Sequence, residues 1–230
     1  DNNVISNSRF AYFKTNVVYS GNPAGVTVKD CVFSGGGTGD MTYSAINLCT
    51  GSDRKVNIEG NTVAAYKYLN VGGILVRNED GIEGKNEVVV RNNSVENCSE
   101  GIRISGDVNA VVENNQAIGN RYAVNTSNGY GGIILIDSDE KLTANVTGNY
   151  VEGCKCGVYI SGCKQVNLGT ADTPGGNVFV NNGHNGKVCD LYNNSRLTVN
   201  AQGNMWDVTE QTSEEIAKVI IDHEDDTSLG

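Results

Sequence analysis

The chain has 230 residues, 38% of them hydrophobic, which is enough for one continuous core. It carries 17 basic and 27 acidic side chains, for a formal net charge of −10. Because nucleic-acid binding needs clustered Lys and Arg, this composition argues against a nucleic-acid partner. No apolar stretch is long enough to span a bilayer, so we expect no membrane insertion by this segment.

One short pattern recurs along the chain: a β-branched pair, a small residue, an asparagine and another apolar residue. The successive anchors are 22 to 34 residues apart, a spacing typical of stacked units that bury their apolar faces against one another. Taking the asparagine as the anchor gives Asn7, Asn61, Asn93, Asn115, Asn149, Asn177 and Asn204, with Cys31 in the same slot between the first two.

Each anchor segment alternates apolar and polar residues, as at Val88 and Val90, and a second strand-like run opens on glycine. The glycine runs begin at Gly73, Gly101, Gly132 and Gly157, at steps of 25 to 31 residues. Two strands per repeat with no helix between them predict an all-β solenoid, a parallel β-helix of about eight coils, rather than a sandwich. Abundant Asn and Gly suit its tight corners.

These repeats resemble the right-handed, single-stranded parallel β-helix of the pectin-lyase-like superfamily, including the sugar-binding and sugar-hydrolase repeat domains of secreted bacterial proteins. The resemblance covers most of residues 4 to 206. It implies a secreted or cell-surface protein, and a ladder of side-chain amide hydrogen bonds formed by Asn61, Asn93, Asn115 and Asn149.

The last 24 residues form a different kind of segment. Thr212 and Glu215 have capping-box spacing, and Ile216, Val219 and Ile220 make one apolar stripe. We therefore divide the chain into a β-helix over 1–206 and a C-terminal cap over 207–230, with a short helix that covers the last coil. The segment is similar to the closing segments of many bacterial β-helix proteins, although Asp207 stands where those usually have glycine. The N-terminus enters in mid-repeat, so we expect a longer chain.

Long insertions between the asparagine and glycine strands carry a group of tyrosines. Aromatic rings on such loops can pack against sugar rings and offer a phenolic hydrogen bond, whereas the simpler alternative is that they pack the loops onto the coil. The predicted polysaccharide-binding residues are Tyr43, Tyr66, Tyr68, Tyr122 and Tyr130.

The opposite edge, after the glycine strand, collects acidic residues. Asp107, Asp137 and Asp139 on neighbouring coils are candidate Ca²⁺ ligands, and a solvated acidic face is the alternative. The resemblance to the superfamily implies a Ca²⁺-dependent uronate lyase as one activity, for which Arg103 is the candidate catalytic residue, as a base or a uronate contact. A hydrolase is less supported, because no carboxylate pair stands out and His184 and His223 lie late in the chain.

The chain contains seven cysteines. Cys98 and Cys154 occupy equivalent points of their repeats, which predicts buried thiols. A disulfide among Cys154, Cys156 and Cys163 and a weak metal site are the alternatives.

The leading functional hypothesis is a secreted or surface-attached module that engages polysaccharide. A non-catalytic structural or adhesive protein is the second hypothesis, and the lyase is the third.

Overall fold

The computed structural model describes residues 2–13, 16–35, 44–51, 53–65, 72–78, 86–121, 130–225, 227 and 229. Through them the chain winds as a right-handed parallel β-helix with three parallel sheets, A, B and C. Among the described residues, no helix is long and apolar enough to cross a membrane.

The strands are numbered along the chain. Sheet A contains β1 (Asn2–Ser6), β4 (Gly25–Lys29), β7 (Lys55–Glu59), β10 (Glu87–Arg91), β13 (Asn109–Glu113), β16 (Thr143–Thr147) and β19 (Gln165–Asn167). Sheet B contains β2 (Arg9–Ala11), β5 (Val32–Gly35), β8 (Thr62–Ala65), β11 (Ser94–Glu96), β14 (Gln116–Ile118), β17 (Tyr150–Glu152) and β20 (Val178–Val180).

Sheet C contains β3 (Val18–Ser20), β6 (Ser44–Thr50), β9 (Gly72–Asn78), β12 (Ile102–Ser105), β15 (Ile133–Ile136), β18 (Val158–Ser161), β23 (Leu191–Asn194) and β24 (Ile220–Ile221). A small antiparallel hairpin is formed by β21 (Gly183–His184) and β22 (Lys187–Val188). The helix α1 spans Ser213–Ala217.

Each coil passes through sheets A, B and C in turn, so that a strand pairs with its counterpart one coil away. The register is regular: Val88 lies between Val56 and Ala110. In the strands of the central coils, alternate residues point inward and are almost completely buried, as expected for Val88 and Val90. Full burial of one such side chain stabilises the fold by about 1.5–3 kcal/mol. The predicted parallel β-helix is therefore confirmed.

The corner between sheets A and B holds the predicted asparagine ladder. The side-chain amide of Asn93 donates to Oδ1 of Asn115 at 2.9 Å, and the backbone N–H of Asn93 donates to the same oxygen at 3.0 Å. The pattern is repeated from Asn61 through Asn149 and Asn177 to Asn204. Buried polar groups are satisfied in this way along the whole edge.

The first anchor was predicted one residue too early. Asn7 has φ 50°, the left-handed position that Asp30 and Asn92 occupy in later coils. The ladder slot follows it and is held by Ser8, whose hydroxyl donates to the carbonyl of Ser6. Cys31 does lie in the slot, where its backbone N–H donates to Oδ1 of Asn61 at 3.0 Å.

The glycines that open the strands of sheet C allow adjacent coils to approach closely at the corner between sheets B and C. A Cβ on Gly101 would lie 2.2 Å from the carbonyl oxygen of Gly132, and one on Gly157 would lie 2.3 Å from that of Asp190. Such distances exclude any side chain unless the backbone moves. Packing therefore explains the glycine repeat.

The outer face of sheet A carries alternating charges in one register row. Lys29, Glu59, Arg91 and Glu113 follow one another on successive strands. Arg91 pairs with Glu59 at 3.1 Å and with Glu113 at 3.8 Å. Cross-strand pairs of opposite charge favour this stacking order.

The C-terminal segment, described over residues 207–225, 227 and 229, docks on the last coil. The side chain of Thr212 accepts a hydrogen bond from the backbone of Glu215, as the capping-box spacing predicts. No residue of α1 itself is buried, whereas Val219 just beyond it is only 4% exposed. The short strand β24 then joins sheet C beside β23.

Candidate functional site

Aromatic and cationic side chains lie together on the outer face of sheet C. One register row runs along this face, one residue for each coil. We call it the outer row: Tyr19, Asn47, Leu75, Arg103, Ile134, Tyr159 and Tyr192. Neighbouring members are separated by the strand spacing of about 4.8 Å.

Three tyrosines form a cluster at the C-terminal end of the outer row. The rings of Tyr159 and Tyr192 are stacked, with centroids 5.0 Å apart and planes 7° from parallel. Tyr130 reaches both of them from the insertion before β15, at 5.5 Å and 6.1 Å, with tilted planes. The Nζ of Lys155 lies 5.3 Å from the centre of the Tyr130 ring, a cation–π arrangement. We call these four side chains the tyrosine cluster.

The cluster is partly shielded from solvent. Tyr159 is 7% exposed and Lys155 is 8% exposed, whereas Tyr130 and Tyr192 are half-buried. Burial, and then the neighbouring Tyr159, raise the pKa of Tyr130, so its phenol stays neutral and can both donate and accept hydrogen bonds. The cluster therefore combines apolar ring surface with neutral hydroxyl groups.

Arg103 lies outward on β12, as predicted, and is held by a neighbour on the same coil. Its Nε and Nη2 donate to the two carboxylate oxygens of Glu100, each at 2.7 Å. This bidentate pair fixes the plane of the guanidinium group. Further along the face, the guanidinium of Arg77 donates to Asn47, which in turn donates to Asn16 at 3.2 Å.

Of the five tyrosines predicted to bind glycan, one falls within the described residues. Tyr130 belongs to the tyrosine cluster, whereas Tyr43, Tyr66, Tyr68 and Tyr122 lie outside the described residues. Tyr159, Tyr192 and Lys155 were not among the predicted residues. The signal was present, since both tyrosines stand at the outward position that Arg103 occupies in its own coil.

The candidate Ca²⁺ ligands have separate environments. Both carboxylate oxygens of Asp137 accept backbone N–H groups, from Asp139 at 3.1 Å, Lys141 at 2.6 Å and Leu142 at 2.8 Å. Asp139 pairs with the Lys141 side chain at 3.4 Å, and Asp107 is exposed one coil earlier. Within the described part of the chain, no group of three His, Cys, Asp or Glu side chains is placed to hold a metal.

The cysteines are buried, as predicted, but the suggested disulfide grouping was wrong. Cys156 is joined to Cys189 on the next coil, while Cys154 and Cys163 are free thiols. Cys154 faces inward, and its backbone N–H donates to Oδ1 of Asn182 at 3.1 Å, an arrangement that Cys98 shares with Asn120. The two cysteines therefore alternate with asparagines in a second ladder.

Comparison with known proteins agrees with this geometry. The family model of the right handed beta helix region matches residues 1–139. The chain belongs to the right-handed β-helix family. Neither the curated proteins nor the solved structures contain a significant match to it. Members of a fold family can have unrelated activities, so function has to be argued from the site.

Proposed function

We propose that this β-helix module binds polysaccharide along the outer face of sheet C, with the tyrosine cluster as its main contact surface. The observation that carries the proposal is the outward stacking of Tyr159 on Tyr192, with Tyr130 laid against both. In a solenoid the inward positions already supply the core, so the half-buried outward rings of Tyr130 and Tyr192 are available for recognition, with Tyr159 packed beneath them as support.

The polar groups of the same face suit a chain of sugar hydroxyls. The phenols of Tyr130 and Tyr192 can donate and accept, while Arg77 and Arg103 supply donors held in fixed positions by Asn47 and Glu100. The outer row repeats once for each coil, so it offers an elongated ligand a regular series of contacts.

The proposal is for binding rather than catalysis. Glycoside hydrolysis uses two carboxylates across a cleft, one acid and one base or nucleophile. The carboxylate of Glu100 on this face has both oxygens engaged by Arg103. A carboxylate held in this way positions the guanidinium and is poorly placed to transfer a proton.

A secreted or cell-surface location is part of the same proposal. The Cys156–Cys189 disulfide supports it, because disulfides persist in oxidising compartments and are rare in the reducing cytosol.

The test is affinity electrophoresis and a glycan array with neutral and uronic-acid polysaccharides, with Ca²⁺ and with chelator. We expect retention by at least one polymer, and a loss of affinity of about ten-fold or more in Tyr192→Ala. Tyr150→Ala is the matched control, because Tyr150 points outward on sheet B, away from the cluster. Equal losses in both variants, or a folded wild-type protein that no glycan retains, would contradict the proposal. Unsaturated product that absorbs in the ultraviolet and disappears with chelator would instead support the calcium-dependent lyase.

A non-catalytic structural role is the second candidate, and the outer face of sheet A favours it. The alternating row from Lys29 to Glu113 gives a regular, solvated surface on which Arg91 pairs with both Glu59 and Glu113, as suits a rigid spacer. Full stability of the protein without retention on any glycan would support this role.

A further inference from the structure

Asp190 interrupts the glycine row at the corner between sheets B and C. Gly101, Gly132 and Gly157 each precede the first inward residue of a sheet C strand, and Asp190 holds that position before Leu191. Its side chain is completely buried. A carboxylate is costly in such a position unless it is well hydrogen-bonded or neutral.

The carboxylate of Asp190 contacts the parts of the chain that meet at this end of the solenoid. Oδ1 accepts from the side-chain amide of Asn182 at 3.2 Å, and Oδ2 accepts from the backbone N–H of Asp207 at 2.8 Å. The backbone N–H of Asp190 donates to the carbonyl of Val219 at 2.9 Å. One residue therefore links the last corner to both the start and the middle of the C-terminal segment.

Asp190 itself is firmly held on the solenoid side. Cys189 is bonded to Cys156, and the carbonyl of Asp190 accepts from the backbone of Val158 at 2.9 Å. The C-terminal segment contributes the buried Val219 and the short strand β24 to the last coil, but no buried residue from α1. A cavity of about 570 Å³ already lies between the segment and the last coil, lined in part by Trp206, Ile216 and Ile220. Any movement at this junction would therefore occur in the segment.

Charged groups of both signs lie on the elements packed against Asp190. The carboxylate of Asp207 lies nearby and accepts from the backbone of Asn181 at 2.8 Å. On the hairpin, His184 and Lys187 are exposed, and in the segment Lys218 pairs with Glu215. The segment 207–230 contains eight of the 27 acidic and one of the 17 basic side chains, with His223 as its histidine.

We propose that docking of the C-terminal segment on the last coil depends on pH. Docking is favoured when Asp190 is neutral and disfavoured when Asp190 is ionised. Burial raises the pKa of Asp190 from 3.8 to about 6, against the hydrogen bonds from Asp207 and Asn182, which lower it. A raised folded pKa means that the folded state favours the protonated form. This contribution to docking is present below the ordinary pKa and is lost as the pH rises through about 6.

Trp206 provides the measurement, because it is the one tryptophan of the chain. It is 5% exposed, stacks on Phe179 at 5.0 Å and directly precedes Asp207. Its emission should shift to longer wavelength between pH 4 and pH 7 as the segment loosens. The equilibrium constant for docking of the segment should fall by up to about a hundred-fold, as expected from the raised pKa of Asp190. Hydrogen exchange at the Asp207 and Val219 region should rise over the same range.

Three variants separate Asp190 from other titrating groups. Asp190→Asn keeps the size and one of the two acceptor oxygens and should abolish the pH dependence, while Asp207→Asn should move the midpoint to lower pH. His223→Gln should leave the transition unchanged, since histidine is the other side chain that ionises near this range. A transition that persists in Asp190→Asn, or that disappears in His223→Gln, would overturn the proposal. So would an unchanged wild-type spectrum and unchanged exchange from pH 4 to pH 8.

Discussion

The side-chain amide of Asn61 donates to Oδ1 of Asn93 at 2.9 Å, and the backbone N–H of Asn61 donates to the same oxygen at 3.0 Å. Each rung of the ladder therefore satisfies a buried backbone group of its neighbour as well as a side chain. Loss of one rung leaves several buried donors and acceptors unpaired, and each costs about 1–3 kcal/mol.

Asn115→Ala should be severely destabilising. Asn115 donates to Val90 and Asn149 and accepts from Asn93, so the free energy of unfolding should fall by about 3 kcal/mol or more. Urea denaturation followed by circular dichroism measures the loss. Asn145→Ala on the exposed face of sheet A is the control, and a similar loss there would show that the ladder has no special role.

Cys31→Asn should be tolerated and should extend the ladder. The Sγ of Cys31 lies 3.8 Å from the carbonyl oxygen of Ile5, the counterpart of the Val28 carbonyl that accepts from Asn61. An asparagine amide in this slot can reach the same acceptor, with a gain of about 1 kcal/mol. A lower thermal midpoint than in the wild-type protein would refute this expectation.

Gly101→Ala should destabilise the protein through a backbone clash. The added Cβ would lie 2.2 Å from the carbonyl oxygen of Gly132, so neighbouring coils would have to separate, at a cost of about 3 kcal/mol. Gly21→Ala is the matched control, because its nearest atom is the hydroxyl of exposed Tyr19, which can move aside. Comparable thermal midpoints for the two variants would contradict this account of the glycine row.

Thiol titration should detect no reactive thiol in the native protein at pH 8. It should detect five thiols after denaturation, and seven after denaturation and reduction of the disulfide. Five free cysteines are buried, and burial raises the pKa of Cys98, Cys154 and Cys163 to about 12. Seven reactive thiols without reductant would exclude the Cys156–Cys189 disulfide.

Removal of the disulfide should also lower stability. The bridge closes a separation of 33 residues, for which loop entropy gives about 3–4 kcal/mol. The Cys156→Ser/Cys189→Ser variant should have the same thermal unfolding midpoint in the presence and absence of reductant. When reductant is added, the thermal midpoint of the wild-type protein should fall towards that of the variant.

The sequence was sufficient to predict the coil, the ladder, the glycine row and the capping box, because each of these features repeats or has a fixed spacing. It placed the first anchor at Asn7 instead of Ser8, since asparagine suits the left-handed corner as well as the ladder. It could not pair Cys156 with Cys189, because the hairpin between them hides their equivalent positions. Tyr159 and Tyr192 were not predicted, because they lie within strands, where the sequence does not show which of two neighbouring residues faces outward.

The alternating charges on sheet A also affect which coils of similar sequence pair with one another during folding. Nearly interchangeable coils could stack with one coil left out, since their apolar faces would still match. Such an error would bring Glu59 beside Glu113 and Lys29 beside Arg91, like charges in direct opposition. The row from Lys29 to Glu113 thus discriminates between the true neighbour and the next one during folding, which the uniform hydrophobic interior cannot do.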